Sequence, residues 1–342
     1  MPRTPNVTVR DVARRAGVSP STVSNALTGE RPVSEAARRR VEQAAKALGY
    51  SPNMLARGLV RRRSHTLGVV TSGLQLFGPS STLAGIERQA NEYKYSLLLN
   101  LIPRPGDGDV MASLSAVVAR QVDGLIWAVP EISANRAWIT PQLLSRLPPV
   151  VFLSMRRRPR VHVVAIDNRS GARLAVHHLV ARGRRRVAHV AGPTEWWEAR
   201  ERRQGWVETL RRAGLPASET LVAAGDWSPA SGEHALRDLL ARRPDIDALF
   251  VANDQMALGV LRAAQQLGRR VPDDLAVVGF DSIPESAYFS PSLTTVVNPM
   301  GELGRFAVRT LHALIEGANG TPAGDAAHAA ALTPTLVVRE SA

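Results

Sequence analysis

The chain has no cysteine, which excludes disulfides, cysteine-based metal sites and thiol nucleophiles and permits a reducing compartment. It also has no run approaching the ~20 apolar residues of a membrane helix. The start lacks a positively charged stretch followed by an apolar core, so no secretory signal is visible. A cytoplasmic location without a membrane partner is the expectation. Catalytic signatures are missing too: there is no Walker loop, no G-x-S-x-G elbow and no H-E-x-x-H. His177 and His178 are adjacent, so on a helix they point about 100° apart, a poor arrangement for a shared metal. They are expected to be structural or solvated. No enzyme, cofactor or metal site is anticipated.

What is present is a soluble globular composition, with 44% apolar and 21% charged residues in a chain of 342, long enough for two or three domains. The charge is unevenly placed. Residues 1–63 hold 13 Lys and Arg against 4 Asp and Glu, whereas the other 279 hold 30 against 26. A small basic head on a near-neutral body points to an anionic polymer or surface as the head's partner.

The head reads as three short helices. Thr8 can cap the first, with Asp11 three positions on to complete a capping box. Val12, Ala13 and Ala16 form its apolar face, and Gly17 ends it. Ser19 caps a second helix with Pro20 at its first position, where a missing N–H costs nothing. Val23, Ala26 and Leu27 face inward. A third helix starts at Ser34 and stops at Gly49. Two helices joined by a glycine turn make a helix-turn-helix unit, in which the second helix enters the major groove of DNA. Ser21, Thr22 and Asn25 are then placed to meet base edges, while Ser24 and the helix N-terminus meet phosphate.

From "VTVRDVARRAGVSPSTVSNALTGERPVSEAARRRVEQAAKALGYSPNMLARGL" the chain resembles the N-terminal domain of the lactose/galactose repressor (LacI/GalR) family. The resemblance implies a dimer on a pseudo-palindromic operator, with recognition residues at Pro20, Ser21, Thr22 and Asn25. It also marks residues 51–63 as a hinge helix, with Asn53, Ala56, Arg57 and Leu59 on matching positions. So short a helix is expected to form only on the operator. Leu59 would wedge between base steps in the minor groove, and Arg61, Arg62 and Arg63 follow it towards phosphate.

From Thr66 onward, short β-branched runs alternate with helical stretches at 82–93, 168–182, 198–213, 229–242 and 254–267. The strands are "TLGVVTS", "YSLLLNL", "DGLIWAV", "PVVFLS", "VHVVAID", "RVAHVAG", "DALFVAN", "LAVVGFD" and, last, "TPTLVVRE". This order implies an α/β fold of doubly wound parallel sheets in two lobes, with ligand at the carboxyl ends of the strands. Residues 317–330 read as a low-complexity loop.

The family resemblance continues through "ARERRQGW", "GDWSPASG" and "VANDQMALGVLRAAQQLGRRVPDDLAVVGFDSIPESAYFSPSLTTV". It implies a periplasmic-binding-protein-like core over 64–342, with lobes of about 64–163 plus 294–327 and about 164–293 plus 328–342. A sugar-type effector is implied between them. Arg202 matches the family's effector-binding arginine, Asn253 and Asp281 its polar ligands, Trp227 an aromatic wall, and Leu76, Pro79 and Ser80 the first-lobe wall. Such groups suit sugar hydroxyls and an apolar ring face. Asn253 and Asp281 also suit caps of the turns that follow their strands. Trp127, Trp196 and Trp197 sit just after strands and are candidates for pocket or packing. Trp206 reads as core and Trp138 as surface packing.

Ala128 and Ser154 depart from the lactose-type pattern of Asn and Asp. With tryptophans nearby, a different and larger glycan is expected. No heptad pattern follows residue 339, so no coiled-coil tetramer module is anticipated. A sugar-binding transport protein is the alternative; it would need a signal peptide and no basic head.

Overall fold

The computed structural model describes residues 7–28, 31–50, 63–103, 110–318 and 329–342. The hinge assignment of Asn53, Ala56, Arg57 and Leu59, and most of the loop expected at 317–330, lie outside the described residues. The chain divides into two units, Met1–Ser64 and His65–Ala342.

In the first unit, local chemistry starts and stops each helix. Helix α1 (Val9–Ala16) opens where the Asp11 carboxylate accepts from the Thr8 N–H at 3.0 Å and its hydroxyl at 2.7 Å. Gly17 then takes a left-handed φ of 63°, and the Val18 N–H closes on the Ala13 carbonyl at 3.1 Å. Helix α2 (Pro20–Thr28) is capped by Ser19, whose Oγ accepts from the Thr22 N–H at 3.1 Å. Helix α3 (Glu35–Leu48) runs from the Ser34 cap to Gly49, at φ 62°. Valines and alanines fill the space between them: Val12, Ala13, Ala16, Val23, Ala26, Val41, Ala44 and Ala45 form one core. Side chains this small let three short helices approach closely.

The second unit alternates strands and helices: β1 (Thr66–Thr71), α4 (Phe77–Glu92), β2 (Ser96–Leu101), α5 (Val110–Val118), β3 (Gly124–Ala128), α6 (Pro141–Leu144), β4 (Val150–Leu153) and β5 (His162–Ile166). It continues with α7 (Asn168–Ala181), β6 (Val187–Ala191), α8 (Trp197–Arg212), β7 (Val222–Ala224), α9 (Pro229–Arg242), β8 (Ala248–Val251), α10 (Asp254–Gln266) and β9 (Ala276–Asp281). Last come β10 (Thr294–Val297), α11 (Met300–Ala318), β11 (Ala329–Leu332) and β12 (Thr335–Val337).

Two six-stranded sheets result, ordered β11-β5-β4-β3-β1-β2 and β12-β10-β9-β8-β6-β7. Their described pairings are parallel except for β10 with β12. Both sheets reverse strand order beside their first strand, β1 or β6, and that reversal opens a crevice at the carboxyl ends. Helices cover both faces, so the central strands are largely apolar and buried; β6, β8 and β9 are buried throughout, while the edge strands β2 and β12 are not.

The lobe boundaries differ from the sequence expectation. All of β5 stays in the first sheet, β10 belongs to the second and β11 returns to the first. The crossovers therefore fall after Ile166, Val297 and Leu332, a few residues later than 163, 293 and, for the return, 327. The hydrogen-bonded ladder explains the shift: a strand is held to its own sheet until its last pair is made. Strands β7, β10 and β11 are additional to those expected from the sequence. Helix α4 also starts at Phe77, five residues before the expected 82.

Candidate functional site

A cleft opens where the carboxyl ends of both sheets face each other. Leu76, Phe77, Pro79, Thr82, Ala128 and Ser154 line it from the first lobe, and Trp196, Glu198, Arg202, Trp227, Asn253 and Asp281 from the second. The lobes touch beside it. Ile132 and Trp196 form an antiparallel bridge, and the Trp197 N–H donates to the Glu131 carbonyl at 2.9 Å.

Arg202, on the second turn of α8, is the best-anchored group. Its Nε donates to Asn168 Oδ1 at 2.8 Å, one terminal nitrogen donates to the Ala252 carbonyl, and the other lies 3.5 Å from Asp281 Oδ1. The guanidinium sits 3.8 Å from the centroid of the Phe280 ring, a cation–π geometry. Asp281 also accepts from Asn298 Nδ2 at 2.9 Å. Burial pulls the Arg202 pKa down and pushes that of Asp281 up, and each is opposed by the other's charge. An arginine keeps its proton in this setting, and its charge favours the ionised form of Asp281.

Asn253 lies on the cleft wall and makes the helix cap expected of it. Its Oδ1 caps α10 by accepting from the Met256 N–H at 2.9 Å, and its Nδ2 donates to the Trp227 carbonyl at 3.0 Å. That bond helps hold Trp227 at a left-handed φ of 75°, while Asp281 sits at φ 106°. Such backbone costs energy for residues with a Cβ and is kept where surroundings over-determine it. Trp196 meets Trp227 edge-on, with centroids 5.7 Å apart at 72°.

Three expectations need correcting. Trp127 is 1% exposed and packs in the first-lobe core against Trp138, so it does not reach the cleft. Its sheet is covered on both faces, and alternation along β3 brings its neighbour Ala128 to the cleft instead. Trp197 packs against that same first-lobe core, leaving the cleft wall to Trp196. Helix α8 begins at Trp197, so the two indoles diverge. Ser80 is exposed and its hydroxyl donates to the Leu74 carbonyl; one residue further along α4 than Pro79 turns it about 100° away. Trp206 is core, as expected, and Trp138 half-buried.

Glu198 was missed. It lies in the first turn of α8 with Oε2 buried and without a partner. Burial pushes its pKa up to about 7, opposed by a backbone hydrogen bond, Arg202, Arg136 and a Ser154 hydrogen bond. No motif marks it, because the family resemblance rests here on "ARERRQGW", which begins one residue after it. Among the described residues no cluster of His, Cys, Asp and Glu could hold a metal ion. None of the described helices is long and apolar enough to cross a membrane.

On the first unit, Ser19, Pro20, Ser21 and Ser24 are exposed along α2, with Thr22 and Asn25 half-buried; Thr8 is exposed at the start of α1. The Ser19 hydroxyl lies 2.8 Å from those of both Ser21 and Thr22. These short hydroxyls form one polar ridge.

The comparisons agree with both units. Residues 8–53 match the model of bacterial regulatory proteins of the lacI family, and residues 176–342 that of a periplasmic binding protein-like domain. The chain belongs to the LacI family of bacterial regulatory proteins. It is 35% identical to the lactose operon repressor of Escherichia coli over 91% of this chain and 85% of that protein. It is 37% identical to the HTH-type transcriptional regulator CelR of Thermobifida fusca over the whole of both. Among solved structures, the lac repressor dimer bound to operator and the anti-inducer ONPF superposes with a TM-score of 0.87, at 32% identity over 98% and 99% of the two chains. A CelR–cellobiose complex gives 0.70, at 34% identity over 98% and 100%. The LacI-family chain is thus a transcriptional regulator and not an enzyme.

Proposed function

We propose that this regulator represses carbohydrate-utilisation genes as a cytoplasmic homodimer on a pseudo-palindromic operator, under control of a sugar in the inter-lobe cleft. One observation carries the reading. The cleft brings a fixed guanidinium, a carboxylate and an amide together with two indoles, which suits hydroxyls around an apolar ring. Leu76, Pro79, Arg202, Trp227, Asn253 and Asp281 are the proposed effector contacts, joined by Trp196. On DNA, Ser21, Thr22 and Asn25 are proposed to read base edges, with Thr8, Ser19, Pro20 and Ser24 near the backbone and Asn53, Ala56, Arg57 and Leu59 in the minor groove.

The test is selection of random duplexes by the full chain, followed by fluorescence anisotropy on the enriched site with mono- and disaccharides added. A two-fold symmetric site, with affinity changed by at least about tenfold by one sugar, is expected; coupling of ~1–3 kcal/mol corresponds to that range. No enriched site, or an affinity that no sugar alters, refutes the reading.

A further inference from the structure

The ionisable side chains on the cleft wall, among the described residues, are Glu198, Arg202 and Asp281. That is two carboxyl groups to one cation, and the cation is already engaged. Arg202 holds Asn168, the Ala252 carbonyl and Asp281, and lies over Phe280. Recognition of phosphate or carboxylate wants a guanidinium fork free to face the ligand, and here each of the three guanidinium nitrogens on the cleft wall already donates to protein. Arg136 is a second buried cation near Glu198, but it is not on the wall; its terminal nitrogens donate to the Val129 carbonyl and Asn135 Oδ1.

Glu198 is the complementary case. Its Oε2 is buried with no protein partner, and an unsatisfied buried acceptor is costly. Across the cleft stand Ala128, which offers no side-chain hydrogen bond, and Ser154, whose hydroxyl acts on the Glu198 carboxyl but leaves Oε2 unpartnered. A ligand donor on that side has Glu198 to turn to. We propose that Glu198 makes this cleft selective for an uncharged, polyhydroxylated ligand, accepting its hydroxyl donors and turning away phosphorylated and acidic sugars. The inference rests on the sugar-controlled reading above and adds the charge class of the sugar. The raised pKa of Glu198 agrees with it: burial makes the carboxyl harder to ionise, and ligand hydroxyls supply the donors that stabilise its charged form.

The experiment is thermal shift and then calorimetric titration of the full chain with glucose, galactose, ribose, cellobiose, maltose and lactose. Glucose 6-phosphate, ribose 5-phosphate, glucuronate and galacturonate serve as anionic counterparts. At about pH 8, where the Glu198 carboxyl is ionised, a neutral sugar is expected to bind, with the anions at least about 100-fold weaker, as facing like charges imply. Glu198→Gln and Glu198→Ala, checked for unaltered circular dichroism, are expected to weaken the neutral sugar at least about tenfold. Glu198→Gln is also expected to narrow the gap to the anions. Wild-type binding of an anionic sugar as tight as that of a neutral one overturns the inference alone. So does wild-type affinity for the neutral sugar in both variants. Silence across the whole panel overturns the sugar reading, and the inference with it.

Discussion

Glu198 and Asp254 are carboxyl groups that burial pushes up to about 7, with different neighbours opposing or aiding it. Glu198 is opposed by a backbone hydrogen bond, Arg202, Arg136 and Ser154; Asp254 is pushed further by the charge of Asp281 and opposed by Thr295 and the N–H groups of Ile283 and Phe280. The Thr295 hydroxyl donates to Asp254 Oδ1 at 2.6 Å and the Ile283 N–H to Oδ2 at 2.8 Å. Gly279 makes room for this, since a Cβ there would lie 2.3 Å from Oδ1. In the unfolded chain both groups titrate near their ordinary values of about 4. Between about pH 4 and 7 the native state therefore keeps protons that the unfolded state has released, so stability falls as pH rises through that window and levels above it. Glu198→Gln removes one such group. Its melting temperature relative to wild type should shift in the variant's favour from pH 5 to pH 8, measured by calorimetry without sugar. A difference constant with pH would mean that Glu198 is solvated in the native protein.

At the scale of elements, α2 depends on one cap and one polar ridge, and both run through the Ser19 hydroxyl. Ser19→Ala should destabilise the first unit by about 1 kcal/mol and lower operator affinity. Calorimetry of the full chain should show an earlier transition for that unit and an unchanged one for the second; an unaltered first transition would show that the cap contributes nothing. Such caps were legible in the sequence because Ser19–Pro20 and Gly17 act within a single turn. The longer strands were legible for a similar reason, as β-branched runs between turn residues. Strands β7 (Val-Ala-Ala) and β11 (Ala-Ala-Ala-Leu) lack that β-branched run and exist as ladders on their neighbours, which no local pattern reports, whereas β10 (Thr-Thr-Val-Val) carries the run and was passed over. The cleft divides the same way. Asn253 and Asp281 were legible from their place at strand ends, and Arg202 from family resemblance. Glu198 and Trp196 depend on how α8 turns against the opposite lobe, and Trp127 was misplaced because both faces of its sheet are covered.

For the whole molecule, the two lobes repeat one strand order and exchange the chain three times, so a ligand bridging the cleft acts on both sheets at once. The basic charge, by contrast, is concentrated in residues 1–63. On the proposed reading ligand and DNA belong to different parts of the chain, and any coupling between them must be reciprocal in free energy. Two variants separate the binding steps from the coupling. Leu59→Ser removes the apolar group expected to wedge between base steps, and should weaken operator binding at least about tenfold while sugar affinity stays at the wild-type value. Arg202→Lys keeps the charge but loses the fork that holds Asn168, Ala252 and Asp281. It should reduce sugar affinity by at least about tenfold and leave sugar-free operator binding within about twofold of wild type, a difference inside the error of ~0.5 kcal/mol for independent sites. Titration calorimetry for the sugar and anisotropy for the operator, both on the full chain, measure the four affinities. If Leu59→Ser weakens sugar binding as much as operator binding in a folded protein, the division of labour between hinge and cleft fails; the same loss of both by Arg202→Lys would return Arg202 to a purely structural role.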